Sequence, residues 1–163
     1  MSAEGRHGAR LRFGRDRRLS GRGVFKVVLD ARTRVDCGAF GVHAKPSDGH
    51  RTRIGISIGR RCGSAARRNR IKRLLREAFR LSQHRLPAEA PAPYDLVVVV
   101  RPHEPLALDD YGARLVDAIE RLHATWTKRH HRTRGQQEQG PRATGGTSPG
   151  STTPDGPPSP PEA

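Results

Sequence analysis

The chain has 163 residues, 31 Lys/Arg against 16 Asp/Glu, a net charge of +15 and a pI near 11.5. That length holds one domain of ordinary size, and the charge calls for a polyanionic partner such as nucleic acid. No apolar run approaches the ~18 residues of a membrane span, no apolar segment follows the Arg-rich start, and Cys37 and Cys62 are too few for a disulfide framework or a metal site, so a reduced, cytoplasmic protein is expected.

Residues 1–18 are rich in Arg and Gly, with isolated Leu11 and Phe13, and read as a basic flexible arm. Val24, Phe25, Val28 and Leu29 then recur at helical spacing, predicting a short amphipathic helix that ends near Ala31-Arg32. Cys37 to Ala44 fits a strand with one buried face, and Lys45-Pro46-Ser47-Asp48-Gly49 is a turn by composition. From Arg53 to Gly59 the alternation is strict, with Ile54, Ile56 and Ile58 on one face and Gly55, Ser57 and Gly59 on the other. Small residues on that second face admit either a helix packed over the sheet or a shallow floor for an extended ligand.

After Arg60-Arg61-Cys62-Gly63, Ser64 is placed to cap a helix that runs to about His84. Its apolar residues Ile71, Leu74, Leu75, Ala78 and Phe79 cover an arc of roughly 140°. Asn69, Arg73, Arg76, Glu77 and Arg80 point the other way, Arg70 and Lys72 lie on the flanks, and Arg67 and Arg68 stand at the first turn. Cations at a helix start oppose its dipole, and Arg residues three or four apart repel, by a few tenths of a kcal/mol in each case. A merely solvated face would interleave charges of both signs. Residues 51–85 instead hold twelve Lys/Arg against the single acid Glu77, a balance of +11. Arg forks beside the N–H groups of a helix start make a ready phosphate-binding surface.

Leu86 to Pro93 is a loop, and Tyr94 to Arg101 is a continuous β-branched run, the mark of a strand buried on both faces. Asp109 or Asp110 can cap a last helix whose inner face carries Tyr111, Leu115, Ala118, Ile119 and Leu122, with Trp126 closing the packed part. Seven of the thirteen prolines lie between residues 141 and 163 among Gly, Ser and Thr. The expected organisation is an arm (1–18), one domain (19–127) and a disordered tail (128–163).

The run Arg53–Arg80 closely resembles the signature of the bacterial ribonuclease P protein subunit, centred on Arg68-Asn69-Arg70 and extended by Lys72, Arg73, Arg76 and Glu77. The likeness continues in the helix carrying Phe25 and in Tyr94–Pro102, and covers about residues 10 to 126. It implies an α+β sandwich of the ribosomal protein S5 domain 2-like kind, ordered α-β-β-α-β-α, with a left-handed β-α-β crossover against the usual rule. It also implies a protein that binds the catalytic RNA of ribonuclease P through Arg67, Arg68, Asn69, Arg70, Lys72, Arg73 and Arg76. The 5′ leader of precursor tRNA would be bound by Phe25, Leu29, His43, Ser57, Arg60 and Arg61. Leu29, His43 and Gly59 stand where the family more often has an aromatic residue, Tyr and Ser. Stacking on the leader would then be weaker and Arg60 and Arg61 more important; Phe25 itself reads equally as core.

The sequence offers no nucleophile with a base, no acid–base pair and no carboxylate cluster for a metal. Asp109-Asp110 is better explained as a helix cap. Glu77, boxed in by Arg73, Arg76 and Arg80, is expected to stay ionised and orient them. Chemistry must come from an RNA partner, with Mg²⁺ held mainly by that RNA and no cofactor bound by the protein alone. The alternative is a structural RNA-binding protein of the ribosome. DNA binding is weaker, because the Arg helix lacks a helix-turn-helix partner and side chains suited to base edges.

Overall fold

The structure, a computed structural model, describes residues 13–138. Four strands, β1 (Arg34–Asp36), β2 (Phe40–Pro46), β3 (Arg53–Ile58) and β4 (Tyr94–Val100), form one sheet in the order β1-β2-β4-β3. β2 is antiparallel to both β1 and β4, whereas β3 and β4 run parallel. Three helices surround the sheet: α1 (Val24–Asp30), α2 (Ala65–Ser82) and α3 (Leu108–Glu138). α2 lies within the β3–β4 crossover, as a parallel pair requires.

Strand periodicity decides which helix meets which face. Ile54 on β3, Leu96 and Val98 on β4, and Phe40 and Val42 on β2 point to one side, where Ile71, Leu75 and Phe79 of α2 and Leu115 and Ile119 of α3 close the main core. Each such side chain, fully buried, contributes about 1.5–3 kcal/mol. Val97 faces the opposite way and packs with Leu19 and with Val28 of α1. β4 is therefore covered on both faces, as its unbroken apolar run predicts.

The structure departs from the sequence reading at four places. A short strand, β1, precedes the expected pair; only its central Val35 touches the core, so charged Arg34 and Asp36 hide it from a hydrophobic pattern. The second strand starts at Phe40, because Cys37–Ala39 make a turn in which Gly38 has φ 77 and donates its N–H to Asp36 Oδ1 at 2.9 Å. Within the expected arm, Phe13 packs edge-on against Phe79 with centroids 6.0 Å apart, and Leu19 N–H donates to the Ile54 carbonyl at 3.0 Å. Residues 13–19 thus run along the outer edge of β3, the rest of the arm lying outside the described residues. Finally, α3 continues past Trp126 to Glu138, where a disordered tail was expected. A continuing helix needs no new nucleus, and polar contacts rather than apolar periodicity hold this part down. The expected tail beyond Glu138 lies outside the described residues.

Candidate nucleic-acid interface

α2 is organised as its sequence requires. The Ser64 hydroxyl accepts the Arg67 N–H at 3.3 Å, capping the helix. Ile71, Leu75, Ala78 and Phe79 are buried beneath it, which turns the charged positions outward. Asn69, Arg70 and Arg73 are exposed, and Arg68, Lys72 and Arg76 are half-buried. Among the described residues none of the cations Arg68, Arg70, Lys72, Arg73 and Arg76 has an ion pair. Arg68 Nε is buried without a hydrogen-bond partner.

Arg67 is set apart from this group. Its Nη2 donates to the His103 carbonyl at 2.6 Å and to Glu104 Oε1 at 2.9 Å, and its stem lies so close over Gly63 that a Cβ there would stand 2.8 Å from Cδ. It ties the start of α2 to the loop after β4. Glu77 makes a two-point pair with Arg80 at 2.9 and 2.6 Å, which holds its carboxyl below the usual range. The expected pairing of Glu77 with Arg73 and Arg76 is not found among the described residues, and those two cations keep their full charge on display.

The residues assigned to the leader lie on the opposite sheet face. Arg34, His43, Val97 and Gly55 form one row across the four strands. Phe25 of α1 covers Gly55 so closely that a Cβ there would be 2.4 Å from the ring's Cε1 and Cζ. α1 thus packs over the sheet at Gly55, while Ser57 and Gly59 stay exposed. Phe25 is half-buried, and Leu29, one turn further along α1, is 37% exposed. His43 is half-buried with an unpartnered, buried Nδ1; burial, and then the neighbouring Arg34, lower its pKa. Arg60 and Arg61 sit exposed on a helical turn between β3 and α2, anchored by buried Cys62. They form the rim between the two faces.

Sequence reasoning missed Arg34, which the unpredicted strand β1 brings into this face, and the role of Arg101, which follows β4 and meets Asp36 of β1. Arg101 and Arg34 both grip Asp36, whose carboxyl is held down to about 2, chiefly by the Gly38 N–H and then by those two guanidinium groups. Asp95 is similarly committed to Arg53, through bonds of 2.8 and 2.7 Å. Asp36 and Asp95 on this face, and Glu77 on α2, are thus each engaged by an arginine. Among the described residues no group of three His, Cys, Asp or Glu side chains is placed to hold a metal ion, and no helix is long and apolar enough to cross a membrane.

Known proteins resemble this chain in sequence and in fold. The family profile described as Ribonuclease P matches residues 13–123. The ribonuclease P protein component of Haemophilus influenzae is 39% identical over 93 residues, spanning 56% of this chain and 74% of that protein. The corresponding component of Thioalkalivibrio sulfidiphilus is 42% identical over 92 residues, spanning 55% and 72%. Among solved structures, the RNase P protein from Thermotoga maritima superposes with a TM-score of 0.56 at 27% identity, covering 64% of this chain and 96% of that one.

Proposed function

Because the chain belongs to the ribonuclease P protein family, and so is a protein subunit of the enzyme that matures tRNA 5′ ends, we propose that it works by holding two RNAs on opposite faces of one sheet. The α2 face, with Arg68, Asn69, Arg70, Lys72, Arg73 and Arg76, binds the catalytic RNA, and Arg67 braces the start of that helix. The α1 face, with Phe25, Leu29, His43 and Ser57, receives the 5′ leader of precursor tRNA, and Arg60 and Arg61 meet the backbone at the rim. Aromatic and apolar contacts suit a leader whose sequence varies among tRNAs. The RNA partner breaks the phosphodiester bond, in the cytoplasm. The observation that carries this reading is that Arg68, Arg70, Lys72, Arg73 and Arg76 on α2 have no ion pair among the described residues, while Glu77 beside them is paired with Arg80, and Asp36 and Asp95 on the other face are paired with arginines. Those carboxylates do not fit a magnesium site, so the Mg²⁺ that such chemistry needs belongs with RNA phosphates. Nothing among the relatives favours a ribosomal role.

The test is reconstitution with the catalytic RNA at low Mg²⁺, using precursor tRNA with and without its leader. Removing the leader is expected to abolish most of the protein's contribution to substrate affinity. A contribution that persists undiminished without the leader would refute the assignment of the α1 face.

A further inference from the structure

α3 does not stop where the core stops. Among residues whose burial is described its last buried one is Leu122, and the family match ends at 123, yet the helix runs on to Glu138, 15 residues further (138 − 123). From Arg121 to Gln137 it carries Arg121, Lys128, Arg129, Arg132 and Arg134 and no Asp or Glu. A free helix of this length is marginal in water, so the points that hold it matter. Trp126 Nε1 donates to the Ala44 carbonyl at 3.0 Å. Arg129 stacks 5.0 Å above the Trp126 ring and donates to Thr33 Oγ1 at 2.6 Å. The extension is thereby fixed to the corner where α1 gives way to β1.

Arg129 is used up in this attachment, but its neighbours are not. At ~100° per residue Arg114, Arg121, Lys128 and Arg132 fall within an arc of roughly 40°. Arg114 shows where that flank lies, since its Nη1 donates to the Cys37 carbonyl at the β1–β2 turn at 2.9 Å. Lys128 and Arg132 are exposed and have no ion pair among the described residues. The helix dipole does not account for them, because it acts within the last turn and Lys128 lies ten residues before the end (138 − 128). At the same corner stands Arg32, exposed and held at φ 50. Leu29, on the last turn of α1, lies three residues before Arg32 and so at the same end of the α1 face.

We propose that Lys128 and Arg132, with Arg32 at the corner, form a phosphate-binding ridge for the part of the precursor tRNA leader that lies beyond the Phe25–His43 groove. The proposal rests on the leader reading of that groove. Trp126 is turned inward toward Ala44, so the ridge grips the backbone through its charges, without regard to sequence. Because Lys128 and Arg132 ride on one helix fixed at two points, they are held in place before RNA arrives.

The experiment compares holoenzyme reconstituted from the catalytic RNA and either wild-type protein or the K128A/R132A variant. Both changes keep good helix formers on exposed positions, so the fold is expected to persist. Precursor tRNAs with leaders of about four and about fourteen nucleotides are titrated at several salt concentrations, beside the leaderless form. The variant is expected to equal wild type on the short leader. On the long one it should lose several-fold in affinity, with a salt slope shallower by about 1.4. Equal losses on both leaders, or no loss on either, would overturn the ridge. Wild-type holoenzyme that fails to distinguish the short leader from none would take the groove reading down, and the ridge with it.

Discussion

Replacing Gly55 by alanine tests the packing on which the leader groove is built. The new Cβ would sit 2.4 Å from two carbons of Phe25, where ordinary contact begins at 3.4 Å, so the ring must retreat by at least 1.0 Å (3.4 − 2.4). Strand β3 cannot yield, being held by β4 on one side and Leu19 on the other. The retreat falls to Phe25, half-buried on a helix of seven residues. The cost belongs in the lower part of the overpacking range, about 1–2 kcal/mol. Phe25→Ala alone should cost about 1.5 kcal/mol for the lost partial burial. Once the ring is gone, the methyl group added at position 55 has nothing to strike, so the double variant should be no less stable than Phe25→Ala, a coupling of about 1–2 kcal/mol. Urea unfolding of the free protein, followed by circular dichroism, measures all four corners of the cycle. Gly55→Ala should also weaken leader binding in the holoenzyme, although it removes no group from the groove. Strictly additive costs would refute the reasoning, because they would mean that Phe25 does not rest on Gly55.

Three further outcomes follow from the surfaces. Arg70→Ala and Arg73→Ala should leave the free protein within about 0.5 kcal/mol of wild type and flatten the salt dependence of catalytic-RNA binding by about 0.7–0.9 per lost contact. Arg67→Ala should instead destabilise the free fold by about 1 kcal/mol, through its bond to the His103 carbonyl; salt-titrated binding beside urea melts separates the two behaviours, and unchanged slopes would count against phosphate contacts at 70 and 73. His43 has a folded-state pKa below the ordinary 6.5, so the unfolded chain takes up the proton first. Its contribution is complete above that ordinary value and is lost as pH falls from there through the lower folded value. His43→Gln should therefore lose less stability than wild type between about pH 7 and pH 5, and parallel curves would refute the assignment.

The parts of this fold that were legible in its sequence are those where one physical demand dominates. Ile54, Ile56 and Ile58 alternate because one face of β3 is core, and the Tyr94–Val100 run is apolar throughout because helices cover both faces. α2 was readable down to its Ser64 cap, since its buried stripe and its charges are segregated. What escaped detection is held by mixed or polar contacts. β1 has a single residue facing the core, Phe13 is one apolar side chain among arginines, and the end of α3 is attached through Trp126 and Arg129 rather than by an apolar stripe. The pairing of Glu77 with Arg80 depends on a rotamer choice among several nearby cations, which spacing does not decide. Which sheet face each candidate residue occupies followed from alternation once the register was known, and the register needed the structure.

The cationic face of α2 gives salt two opposing effects. Ions that shield its arginines from one another relieve a self-repulsion present only while the protein is alone, so the isolated subunit becomes harder to melt as ionic strength rises. The same ions compete with RNA for those guanidinium groups and loosen the assembled particle. A subunit built this way carries part of its own folding energy in its partner, and the solution that best preserves it on the bench is one in which it works least well.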